Sequence, residues 1–204
     1  MSAVSCTAAV GRPRAFDMQT ALEKALDVFW TKGYDGASLS DLTSAMGINK
    51  PSLYSAFGNK EQLFLKAIEF YENRPCSFFK PALEQPTAYQ VAETMLIGAA
   101  KNMSDASHPQ GCVMVQGALA CSEAASGVKE VLTQRRQKSE EDLRERLELA
   151  IAQKDLPSDT DAAALSRYLC TVINGIAIQA SSGATEAQLV EVANMALASF
   201  PKGE

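Results

Sequence analysis

Between residues 17 and 74 apolar side chains recur at helical spacing in four successive runs, separated by Gly33, Gly47 and Gly58. Leu22, Ala25, Leu26 and Phe29 form the inner stripe of a first helix from about Asp17 to Lys32, with Glu23, Lys24 and Asp27 outside and Gly33 as its stop. Trp30 and Tyr34 fit either a core or an interface, and periodicity does not separate the two. Ser38 followed by Asp41 makes a capping-box start for a second, short helix bearing Leu39, Leu42, Ala45 and Met46 on one face. Gly47 can take the positive φ that ends it, and Ile48 plugs the corner. Asn49 caps a third helix in which Pro51 occupies the first turn, where a missing N–H costs little. Asn59 and Gln62 make a second capping box, opening a fourth helix with Leu63, Phe64, Ala67, Ile68 and Tyr71 inward, up to Pro75.

On the third helix Leu53 and Phe57 are four apart and share a face, so Lys50, Ser52, Tyr54, Ser55 and Ala56 fall elsewhere. That exposed set suits duplex DNA: a lysine for phosphate or a guanine edge, a ring with a hydroxyl, and small residues that let a helix sink into the major groove. Two short helices joined by a tight turn thus read as helix-turn-helix, although any two-helix corner of an all-α protein has the same outline. The basic arm Gly11-Arg12-Pro13-Arg14 precedes it and can reach phosphates or a minor groove. Lys60, at the N-terminal end of the fourth helix, joins free backbone N–H groups as a phosphate clamp.

Beyond Pro75 the pattern is helical but less specific. Helices are predicted over about 87–103, 112–125, 127–154 and 159–181, with Ser158 as a cap for the fourth, and a last one starting after Thr185 and running through Phe200. The stretch 104–111 reads as a loop. The last two helices carry more small and apolar residues than one face can bury, among them Ala162, Ala163, Ala164, Leu165, Val172, Gly175, Ile176 and Ala180.

The 204 residues are 47% hydrophobic and contain no alternating run long enough for a sheet, so the fold class is all-α. The net charge of −5 is unusual for a DNA binder, but it is unevenly held. Up to Arg74 there are eight basic and eight acidic residues; beyond it there are eleven and sixteen. A neutral head on an acidic body argues for a few placed phosphate contacts rather than coating of nucleic acid. Five scattered cysteines without a C-x-x-C pair suit a reducing cytoplasm. The longest uncharged run, from Tyr168 to Thr185, is interrupted by Asn174, Gln179, Ser181 and Ser182, which favours a buried helix over a membrane span, and the first ten residues lack the pattern of a signal peptide.

GRPR, then FWTKGYDGASLSDLTSAMGI, then NKPSLYSAFGNKEQLF together resemble the tetracycline-repressor (TetR) family of transcriptional regulators, specifically its AcrR-like branch. The resemblance covers about the first third of the chain. It implies a DNA-binding head over residues 1–58 and a helical ligand-binding and dimerisation domain over 59–204, with 59–74 as the linking helix. It further implies a homodimer on a near-palindromic operator, with a small-molecule inducer and no cofactor. Position by position, Lys50, Pro51, Ser52, Tyr54 and Ser55 would face double-stranded DNA, Ser40 would approach phosphate, Lys60 would clamp backbone, and Arg12 and Arg14 would serve the arm. The last two helices would form the dimer interface.

Met95, Cys112, Met114, Gln116, Cys121, Tyr168 and Asn174 have the chemistry of a ligand pocket and equally that of an ordinary core. Two rival readings follow from these residues: a regulator whose Cys112 or Cys121 senses thiol oxidants or electrophiles, and a small helical enzyme. The enzyme reading has little to work with, given a single histidine and no nucleotide loop or G-x-S-x-G. His108, Cys112 and Asp105 lie close in sequence, but Pro109 and Gly111 argue against a helix and no fourth ligand is visible, so no metal is expected.

Overall fold

A computed structural model describes residues 16–74, 77–119 and 125–201. Among these residues all regular structure is helical. The first three helices are α1 (Met18–Gly36), α2 (Leu39–Met46) and α3 (Lys50–Phe57), and α4 (Lys60–Glu72) follows directly. Each start is fixed by a side chain: Asp17 accepts from the Thr20 N–H at 2.6 Å, Ser38 from Asp41 at 3.0 Å, Asn49 from Ser52 at 2.9 Å and Asn59 from Gln62 at 2.8 Å. Gly47 ends α2 at φ 65°, a left-handed conformation that lets the Ile48 N–H reach back to the Thr43 carbonyl. Gly33 breaks α1 at φ 71° and ψ 171°, where the sequence predicts a stop, but one further turn runs on to Gly36.

The second part comprises α5 (Phe79–Leu83), α6 (Ala88–Ser104), α7 (Val113–Leu119), α8 (Ser126–Ala152), α9 (Ala162–Ser181) and α10 (Glu186–Ala198). The pattern does not predict α5, because Pro81 reads as a break. In the structure Pro81 lies in that helix's first turn, where no intrahelical N–H is needed. Asp161, rather than Ser158, caps α9 by accepting from the Ala164 N–H at 2.9 Å, so the helix starts later than expected. The expected helix over 112–125 is found as α7, and residues 120–124 lie outside the described ones.

Two apolar clusters hold these helices. The head cluster joins Leu26, Phe29 and Trp30 of α1, Leu42 of α2, Leu53 and Phe57 of α3, and Leu63, Phe64 and Ile68 of α4. Phe29 meets Phe64 edge-on at 5.0 Å between ring centres. Val113, Val128 and Leu132 from α7 and α8 complete this cluster. Thus α4, which the resemblance groups with the second part, packs its inner face in the head. The larger cluster is built around α6, whose Val91, Met95, Leu96 and Ala99 are fully buried against α9 and α10. Tyr71 and Met114 touch both clusters, so the last turn of α4 is where the two cores meet.

Candidate functional site

Two surfaces have the geometry of a site. The first is the outer face of α3. Leu53 and Phe57 are buried, which anchors the helix and turns Lys50, Pro51, Tyr54 and Ser55 outward, with Ser52 half-buried. Tyr54 stands 49% exposed, a large ring left in solvent beside a well-packed core. Ser40 is exposed on α2. Asp41 links α1 and α2: its carboxylate accepts from the Ser38 backbone at 3.0 Å and from the Lys32 ammonium at 2.6 Å. The Lys32 and Ser38 hydrogen bonds hold its pKa down to about 2. The Lys60 ammonium sits 4.5 Å from the centre of the Tyr34 ring, and its pKa is lowered by burial against the opposing pull of Asp35. Arg12 and Arg14 lie outside the described residues.

The second is a cavity of about 570 Å³ in the other part, walled by the last turn of α4 and by α5 to α9. Of the residues with pocket chemistry, Cys112, Met114 and Asn174 line it. Met95 does not: it is fully buried in the α6 core. Gln116 donates instead to the Gln110 carbonyl at 3.3 Å, and Tyr168 is 42% exposed on α9 with its hydroxyl 3.3 Å from that of Ser199. Cys121 lies outside the described residues. The Tyr71 hydroxyl donates to the buried Cys112 sulfur at 3.6 Å. Burial, with Glu140 adding to it, pushes the Cys170 thiol up to about 11, which suppresses its thiolate. Among the described residues no group of three or more His, Cys, Asp and Glu is placed to hold a metal, and no helix is long and apolar enough to cross a membrane.

Several wall residues escape a reading by periodicity. Glu72 pairs with Arg135 across α4 and α8; burial raises the Glu72 pKa and Arg135 opposes it. Arg136 donates to the Met114 carbonyl at 2.9 Å. Arg74 lays its guanidinium over two rings, 4.7 Å from Tyr71 and 5.2 Å from Trp30. Trp30 in turn stacks on His108 at 4.9 Å and meets Tyr71 edge-on at 5.0 Å. A residue of α1, two at the end of α4 and one in the 104–111 loop thus form one stack between the head and the cavity. In the sequence these residues are 78 positions apart at the extremes, from Trp30 to His108, and only their aromatic or cationic type marks them.

The chain is similar to known proteins over most of its length. Residues 21–67 match the family model "Bacterial regulatory proteins, tetR family", and residues 94–196 match "Tetracyclin repressor-like, C-terminal domain". The chain is 30% identical over 194 residues to the HTH-type transcriptional repressor ComR of Escherichia coli, covering 94% of this chain and 92% of that one. A cysteine-substituted form of the TetR family regulator CifR, solved with 26-base-pair operator DNA, superposes with a TM-score of 0.89 at 38% identity, over 93% of this chain and 100% of the other. A TetR regulator from Rhodococcus superposes with a TM-score of 0.62 at 37% identity, over 91% and 100%.

Proposed function

Because the chain belongs to the tetR family of bacterial regulatory proteins, and is thereby a DNA-binding transcriptional regulator, we propose that it is a homodimeric repressor released from its operator by a small molecule in the α4–α9 cavity. The observation that carries this reading is the outer face of α3, where Lys50, Pro51, Tyr54 and Ser55 are exposed, Ser52 is half-buried beside them and the ring of Tyr54 stands in solvent. Two such helices related by a two-fold axis enter successive major grooves about 34–36 Å apart, which dictates a near-palindromic site. Ser40 and Lys60 then meet phosphates flanking the read bases, and Arg12 and Arg14 extend the same interface. The protein works beside the chromosome, in the cytoplasm.

Support for the dimer comes from α9 and α10, which leave Tyr168, Ile178, Val192 and Met195 exposed, Met195 at 77%. Pairing two copies of these helices makes a four-helix bundle that removes that apolar surface from water. Support for release comes from the cavity wall: Tyr71, Glu72 and Arg74 sit at the end of α4, whose other end adjoins α3. A ligand that prefers one tilt of α4 by a few kcal/mol changes the spacing of the two reading helices. The thiol-sensing alternative gains nothing from a buried Cys112 and a suppressed Cys170 thiolate.

The test is selection of genomic fragments by the purified full-length protein at stated salt. Recovery of a near-palindrome with half-sites one duplex turn apart is the expected result. Enrichment of no common sequence, by protein shown to be dimeric, would overturn the reading.

A further inference from the structure

We propose that the cavity takes an anionic amphipathic small molecule, a carboxylate on an apolar body, and that Arg74 receives the carboxylate. This rests on the reading of the cavity as the ligand site and adds the class of ligand and the residue that selects it.

Charge on the wall points that way. The described lining residues include five cations, Arg74, Lys80, Arg135, Arg136 and Lys138, against three carboxylates, Glu72, Glu140 and Asp142. Each carboxylate is already matched: Glu72 by Arg135, Asp142 by Lys138 at 2.6 Å, and Glu140 by Arg167 from α9 at 3.2 Å. Among the described residues the direct contacts of the remaining three cations are with neutral groups, although Lys80 also acts on Glu72 through its field. Lys80 donates to the Asn73 side-chain oxygen at 2.8 Å, Arg136 to the Met114 carbonyl, and Arg74 lies on the Trp30 and Tyr71 rings. A cavity whose wall carries more cations than carboxylates concentrates anions.

Among the three, Arg74 is the group left unfinished. Its Nε is buried without a hydrogen-bond partner. Asp27 of α1 feels its field, but the two form no ion pair among the described residues, and burial raises the Asp27 pKa. The guanidinium rests in the corner between two perpendicular rings, a contact that holds it by cation–π attraction without satisfying its N–H groups, and a carboxylate is the partner for which arginine's N–H fork is suited. The apolar side of the cavity, with Phe78, Phe79, Met103 and Ile173, receives the body of the ligand. Drawing Arg74 toward a carboxylate alters its contact with Trp30, and so reaches α1 of the head.

A matched series on one apolar frame tests this: 4-phenylbutyrate, 4-phenyl-1-butanol and 4-phenylbutylamine, titrated into the full-length protein by calorimetry and by the fluorescence of Trp30, its single tryptophan. The carboxylate is expected to bind about tenfold more tightly than the alcohol, the amine most weakly, and the carboxylate to change Trp30 emission. In Arg74→Gln the advantage of carboxylate over alcohol disappears while alcohol affinity holds; in Arg74→Lys part of it remains. Equal binding of the three probes, absence of binding by all of them, or an advantage that survives Arg74→Gln would overturn the proposal. Ile173→Trp, which fills the cavity, separates the two levels. Loss of probe binding there leaves the cavity as the ligand site even if the charge preference fails, whereas undiminished binding removes the cavity itself.

Discussion

The two exposed faces of this molecule are opposite in kind. On α3 the large side chains Leu53 and Phe57 turn inward and leave a polar face with one ring, Tyr54. On α9 and α10 the inner face is just as well packed, with Leu169, Ile176, Ala177, Leu189 and Ala193 buried, yet Ile178, Val192 and Met195 remain in water. A polar face beside a complete core suits a partner that is itself polar and charged. A surplus of apolar side chains beyond a complete core suits another copy of the same surface, where burial contributes about 25 cal/mol per Å².

The strongest way to break that contrast is to charge the apolar face. Ile178→Asp combined with Met195→Asp is expected to give monomers in sedimentation velocity. Operator affinity then falls by about 10³-fold or more, toward the non-specific level, because one head alone holds one half-site. A double variant that stays dimeric with full affinity would place the interface elsewhere. Tyr54→Ala tests the other face and is a smaller change. It is expected to cost about 1–3 kcal/mol on the operator while shifting the folding free energy by no more than about 0.5 kcal/mol, since the ring is outside the core. Fluorescence anisotropy and urea melts on one preparation read both, and a large loss of stability would mean that the ring is structural after all.

Lys60 sharpens the contrast within the head, because its ammonium rests over Tyr34 rather than free in water. If it clamps phosphate, Lys60→Ala weakens specific and non-specific DNA alike and reduces the slope of log affinity against log salt by about 0.9. An unchanged slope would assign the lysine to the Tyr34 contact alone.

The helix starts of the head and the Gly47 stop were legible because their signals are local, whereas Ala45, expected on the inner face of α2, is exposed. Ser38 with Asp41, Asn49 with Ser52, Gly47 and Asn59 with Gln62 all act within three or four residues, and the structure has each of these caps. The second part yields its helices but not its wall. The Arg74 stack joins α1, α4 and the 104–111 loop, and the Glu72–Arg135 pair spans 63 positions, so neither has a period to read. Pocket chemistry alone did not separate Met95, which faces α9 and α10 in the core, from Met114, which reaches the cavity. Burial direction decides between them, and it depends on how α6 and α7 pack rather than on residue type.

The smallest effect concerns what holds α2 against α1. Asp41 caps α2 and ties it to α1 through Lys32, and its folded pKa is about 2 against an ordinary 3.8. A folded pKa below the unfolded one means that the ionised carboxylate favours the folded state. The contribution is therefore fully present above 3.8 and fades as pH falls from there toward 2. Asp41→Asn keeps a side chain that can cap but cannot pair with Lys32 as an ion. Urea melts of the two proteins are expected to differ at neutral pH, with wild type the more stable, and to converge as pH drops below 3.8. Because both partners are solvent-accessible, added salt narrows the same gap at neutral pH. A difference that stayed constant through that acid window would mean that the Lys32 tie contributes nothing, and that the α1–α2 corner is held by the apolar packing of the head cluster.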